Sequence, residues 1–188
     1  MAVINVEESY EEIRNVLSDG YSMMMLETFL IAMDSQNKNS GSVLIPHNDD
    51  DNLVSAEHSI VWRKVIDERM RRSHGNDKQT TDFGAMFISL ILISSLDEIR
   101  SLIDYDKVSF ETSVLGTGID FWLSKSDDPL NFAARIEVSG IRQTAPTNNI
   151  DTRRKLKEEQ VTKSDGSGLP AFVSIFEFSN VESLIVGK

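Results

Sequence analysis

The sequence contains no cysteine. That removes disulfides and thiolate metal ligands from consideration and makes a reducing compartment, the cytoplasm first, the default expectation. Positive charge is scarce too: 19 Lys and Arg stand against 30 Asp and Glu, a formal net charge of −11. Phosphate neutralisation needs clustered cations, so a nucleic-acid partner would have to meet a local basic patch or be held with the help of a second subunit. Long hydrophobic runs are also missing. The nearest, Phe83 to Leu96, is interrupted by Gly84 and three serines and is too short to span a bilayer. The first residues carry Glu7, Glu8, Glu11 and Glu12 in place of the basic start and apolar stretch of a secretory signal. These absences predict a soluble chain with no membrane partner.

What remains is a globular composition. Hydrophobic residues make up 40% of 188 positions and charged residues 26%, enough for one domain, 1–188, with a packed core. Residues 1–104 read as mainly helical. Tyr10, Ile13, Val16 and Leu17 recur at helical spacing over Glu7–Leu17, and Tyr21–Met33 suits a mostly buried second helix. Positions 34–52 are polar and read as a loop; Asp49, Asp50 and Asp51 there lack the Gly turn and closing Glu of a calcium loop. Ile60, Val61, Val65, Ile66 and Met70 predict a third helix over Ser55–Arg72, with a basic tail at its C-terminus. Thr80 or Thr81 is a suitable cap for a fourth helix, from Phe83 to Leu96 and on through Ile103. His58 and His74 have no partner at metal-motif spacing.

After Asp104 the period changes from 3.6 to 2. Val108–Glu111, Gly118–Leu123, Ala133–Gly140 and Ala171–Phe178 read as strands, with a charged helix over Asp151–Lys163 before the last. The order β-β-β-α-β makes 105–188 a mixed sheet with one crossover helix. Gly116-Thr117-Gly118 precedes a strand rather than a helix, so it is a turn and not a dinucleotide loop. In Ile119-Asp120-Phe121-Trp122-Leu123 the apolar set Ile119, Phe121 and Leu123 leaves Asp120 and Trp122 on the other face. In the next strand Ala134, Ile136 and Val138 leave Arg135, Glu137 and Ser139 opposite. If the two strands pair around a loop at Lys125–Asn131, both apolar faces must meet one core, and every permitted register puts Asp120 on the face of Glu137. Pairing Ile119 with Val138 sets the two acids directly across from each other. Like charges so placed destabilise a sheet unless one is solvated, is paired with Arg135 or Arg142, or meets a cation.

Asp120 on one strand, Glu137-Val138-Ser139 on the next, a helix carrying Lys155 and Lys157, and the strand Phe172–Phe178 together resemble the PD-(D/E)XK nuclease superfamily over about the last eighty residues. The resemblance implies an α/β fold with a restriction-endonuclease-like αβββαβ core and an N-terminal helical elaboration. It also implies Mg²⁺ or Mn²⁺ held by Asp120 and Glu137, and in-line attack of an activated water on a phosphodiester. Ser139 stands where the superfamily has its lysine, so Lys155 or Lys157 would have to reach in from the helix. Glu111 and Glu98 are candidates for an additional acid, and Gln160 for orienting water. The alternative implied is a noncatalytic subunit of a bacterial defence or mobile-element complex that keeps the fold and binds a protein partner.

Overall fold

The computed structural model describes residues 3–49, 52–63, 66–95, 97, 100, 107–125 and 127–187, with the backbone alone at 42–49 and 52–57. The protein is mixed α/β. Strands β1 (Val3–Asn5), β2 (Ser40–Asp49), β3 (Asn52–Val61), β4 (Val108–Thr112), β5 (Phe121–Lys125), β6 (Asp128–Ile141), β7 (Ala171–Glu177) and β8 (Glu182–Gly187) form one sheet. Its order is β1-β3-β2-β8-β7-β6-β5-β4. Helices are α1 (Val6–Val16), α2 (Asp19–Asp34), α3 (Glu68–Ser73), α4 (Asp77–Ser95) and α5 (Ile150–Val161). Among the described residues no helix is long and apolar enough to cross a membrane.

Asn5 starts α1 by accepting hydrogen bonds from the Glu7 and Glu8 amides, with those two acids in the positively polarised first turn. The stripe Val6, Tyr10 and Ile13 is buried against α4, as is most of α2. These three helices cover one face of the sheet. Their core is aromatic: Phe29 lies within ring-contact distance of Trp62, Phe87, Phe176 and Phe178. The opposite face carries a smaller cluster, Ile141, Val161, Ala171, Val173 and Ile175, beneath α5. β7 is therefore buried on both faces, which is why it reads as a continuous apolar run. It pairs parallel with β6, and α5 is the crossover between them.

Several expectations need correction. Positions 40–49 are a strand rather than a loop, and 52–61 are its antiparallel partner rather than the start of a helix. Both segments satisfy their backbone groups across the hairpin, and Ile60 and Trp62 face the core as strand-end residues. Only Glu68–Ser73 is helical, started by Asp67 accepting from the Met70 amide. The first half thus adds three strands to the sheet besides its helices. α4 starts at Asp77 because Asn76 accepts from the Gln79 amide, while Thr80 and Thr81 turn their hydroxyls back to the Asp77 carbonyl. Asp50, Asp51, Val65, Glu98 and most of the stretch through Ile103 lie outside the described residues. β6 reaches back to Asp128, so the expected loop at Lys125–Asn131 is a short hairpin with an irregular ladder. β8 is an added strand.

Candidate functional site

β5 and β6 pair antiparallel with Phe121 opposite Ile136, Trp122 opposite Arg135 and Leu123 opposite Ala134. One step further along this register lie Asp120 and Glu137. β5 begins only at Phe121, however, and Ile119 joins the cluster under α5 instead of sharing the face of Phe121 and Leu123. Alternation breaks because Gly118 takes a left-handed φ of 79° and because the Asp120 carboxylate enters the ladder. Asp120 Oδ2 accepts the Val138 amide at 2.7 Å, while the Asp120 amide donates to the Ile136 carbonyl at 2.9 Å. The side chain is thereby fixed at the end of β5, beside Glu137.

Glu137 is 1% exposed. Its Oε1 accepts from Lys157 Nζ and, at 2.7 Å, from Gln160 Nε2; Lys157 also donates to Gln160 Oε1 at 3.2 Å. Oε2 of Glu137 is buried and no donor group of the protein reaches it; the Asp120 carboxyl lies within hydrogen-bonding range of Glu137, so the two acids can share a proton. Burial and then the charge of Asp120 raise the Glu137 carboxyl to about 7, against the opposing pull of Lys157. Burial raises Asp120 as well, with the Val138 amide and Lys157 opposing it. The pair is thus two desolvated acids under one ammonium.

Two tight contacts set this geometry. A Cβ on Gly118 would stand 2.3 Å from the Gln160 carbonyl oxygen, so the turn before Asp120 lies directly against the end of α5. A Cβ on Gly140 would stand 2.5 Å from the Thr81 carbonyl oxygen, so α4 lies directly against β6. Arg135 completes the frame from beneath: it is buried and donates to Ser164 Oγ, Asp165 and the Val161 carbonyl, clamping the end of α5 and the 3-10 turn that follows it (Thr162–Ser167) to β6.

Of the residues singled out from the sequence, Asp120, Glu137, Lys157, Gln160 and Ser139 come together. Ser139 does not touch the two acids; it bonds Arg153 of α5. Lys155 is exposed on the other side of α5, and Glu111 is exposed on β4 opposite Trp122, so neither joins the site. The helix itself carried that distinction. Ile150 and Val161 mark its inward face, and Lys157 lies on that face while Lys155 does not. Two participants were missed. Asp82, on the outer side of α4, lies in the fields of Lys157 and Arg153, and desolvation raises its carboxyl. Arg153 stands one turn before Lys157. Asp82 comes from a distant helix with no local signal, whereas Arg153, Lys157 and Gln160 were visible as a row at i, i+4 and i+7.

Among the described residues no group of three or more His, Asp or Glu is arranged to hold a metal ion. Two carboxyl groups remain side by side, one with a buried oxygen that no donor group satisfies when both are ionised. That suits a hard cation taking one or two carboxylates and completing its shell with water or ligand oxygens, and it does not suit a closed protein cage. Comparison with protein-family models, with curated proteins and with solved structures finds no match.

Proposed function

We propose that the protein is a divalent-cation-dependent phosphodiesterase of the nuclease type, built on a restriction-endonuclease-like core of α4, β4, β5, β6, α5 and β7. The observation that carries this reading is the buried carboxyl pair of Glu137 and Asp120, in which Oε2 of Glu137 meets no donor group when both acids are ionised, with Lys157 supplied from α5. Such a pair costs stability even though Glu137 also ties α5 to β6 through Lys157 and Gln160, the kind of local conflict expected at a functional site. Asp120 and Glu137 would hold Mg²⁺ or Mn²⁺, which when bound would polarise a phosphoryl oxygen and acidify a water. Val138, through its amide, keeps the Asp120 carboxylate aimed. With Glu137 turned to a cation, the Lys157 ammonium would be released toward the reacting phosphate, taking the place of the lysine that Ser139 lacks. Gln160 keeps Lys157 and Glu137 in register.

The test is calorimetric titration with Mg²⁺ and Mn²⁺, alongside cleavage assays on single- and double-stranded DNA and RNA, for the wild type and Glu137→Ala. Metal heat and cleavage that both vanish in the variant are expected. An absence of metal heat in the wild type would sink the reading. A second reading, a noncatalytic subunit that docks on a protein, is favoured by Val114 and Leu115. These are 76% and 104% exposed at the tip of the β4–β5 turn. It predicts a stable protein complex unaffected by Asp120→Ala.

A further inference from the structure

The serine on β6 that takes the place of a lysine has an identifiable partner. Ser139 Oγ accepts from Arg153 Nη1 at 3.2 Å, and Asn148 Oδ1 accepts from Arg153 Nη2. Arg14, Arg71, Arg135, Arg142 and Arg154 each reach a carboxylate. Arg153 differs. Among the described residues its guanidinium is oriented by two neutral oxygens, which fix its direction without cancelling its charge. In a chain of net charge −11 an arginine so held is not explained by charge pairing.

Position adds to this. Arg153 and Lys157 are about one turn apart on the sheet-facing side of α5, about 6 Å along the axis. Arg153 is partly exposed, so its remaining N–H groups can meet a ligand. A guanidinium has five donors in a planar fork that matches the oxygens of a phosphate. Two are engaged here by Ser139 and Asn148. Asp82 feels the charge of Arg153 through space, and among the described residues the two form no direct ion pair.

We infer that Arg153 is the phosphate-binding residue of this site, gripping a nonbridging oxygen pair of a nucleic-acid backbone beside the Asp120–Glu137 pair, and that Ser139 is its positioning residue. The inference rests on the proposed nuclease-type reading and deepens it. Lys157 serves the acids, Arg153 serves the substrate, and a lysine in place of the serine on β6 would displace the guanidinium.

The test uses the full chain and fluorescein-labelled DNA and RNA oligonucleotides, single-stranded and duplex. Binding is measured with Ca²⁺ across a range of KCl, and cleavage with Mg²⁺ or Mn²⁺. Arg153→Met should weaken binding on the order of tenfold or more and lower the salt slope by about 0.7–0.9, the signature of one lost phosphate contact. Ser139→Ala should give a smaller loss, raising KM more than it lowers kcat. Lys155→Met, a cation removed from the same helix but the wrong face, should change neither affinity nor site geometry. Equal thermal stability of the variants checks that folding is not the cause, and Ser139→Ala carries the test if Arg153→Met is unstable. Wild-type binding that depends on Arg153, with no cleavage, upholds the phosphate contact and removes the catalytic reading. Cleavage that survives Arg153→Met with unchanged KM removes the phosphate contact and leaves the catalytic reading standing. No oligonucleotide binding by the wild type overturns the inference.

Discussion

Neutralising Glu137 should make the protein more stable while removing its response to cations. The native state holds this carboxyl at about 7 instead of the usual 4.5. A raised pKa means that the unfolded chain loses its proton first, so stability falls as pH rises from 4.5 and levels out above 7. For one group the cost is on the order of 1 kcal/mol at pH 5 and about 3 kcal/mol at pH 8. Glu137→Gln keeps the shape and keeps an oxygen to accept from Lys157, so most of that cost should be recovered at pH 8 and little at pH 5. For a chain of this length a gain of about 3 kcal/mol corresponds to roughly 6–12 °C in Tm. Urea unfolding followed by circular dichroism at pH 5, 6.5 and 8, with and without Mg²⁺, reads both parts. Wild type should gain stability from Mg²⁺ at pH 8, and Glu137→Gln should not. A variant no more stable than wild type at pH 8, or a gain independent of pH, would refute the assignment of the strain to a buried, repelled carboxylate.

Lys157→Met should show the reverse pH profile: nearly harmless at pH 6, where Glu137 is protonated, and increasingly destabilising above pH 7 by up to about 1.4 kcal/mol per pH unit, whereas Lys155→Met should match wild type throughout. Gly118→Ala combines a left-handed φ with a clash against the Gln160 carbonyl and should cost about 3 kcal/mol; chemical denaturation gives the number, and metal titration should show weakened affinity from the displaced α5. Gly140→Ala, whose new Cβ would meet the Thr81 carbonyl, should cost about 1–3 kcal/mol, with the same two measurements deciding; a neutral result at either glycine would mean that α4 and α5 are not held where the site needs them.

The second half was legible because its information is local. Period-2 runs bounded by turns marked β4 to β7, and the need for two apolar faces to meet one core narrowed the register to choices that all bring Asp120 onto the face of Glu137. The β2–β3 hairpin was hidden because Ile60, Val61 and Ile66 fit a helical stripe as readily as a strand, and only pairing with a polar preceding segment decides between them. β8 was missed for another reason. Its turn uses no Gly or Pro: the buried Glu177 carboxylate accepts from the Ser179 and Asn180 amides, and Val181 takes a φ of 59°. The site divides the same way. Lys157 could be separated from Lys155 by helix phase, but the role of Ser139 depends on Arg153 lying above it, and that of Asp82 on α4 being pressed against Gly140.

The frame around the acids argues against accident. Gly118 and Gly140 admit backbone contacts that any side chain would block, and Arg135 is buried to fasten α5 at the turn that delivers Lys157 and Gln160. A chain that needed only a docking surface could relax the conflict at 137 by a single neutral substitution and keep every one of these contacts. Greater stability together with loss of the Mg²⁺ response in Glu137→Gln is therefore the combination that separates the two readings: a docking subunit would show the first change and have no cation response to lose.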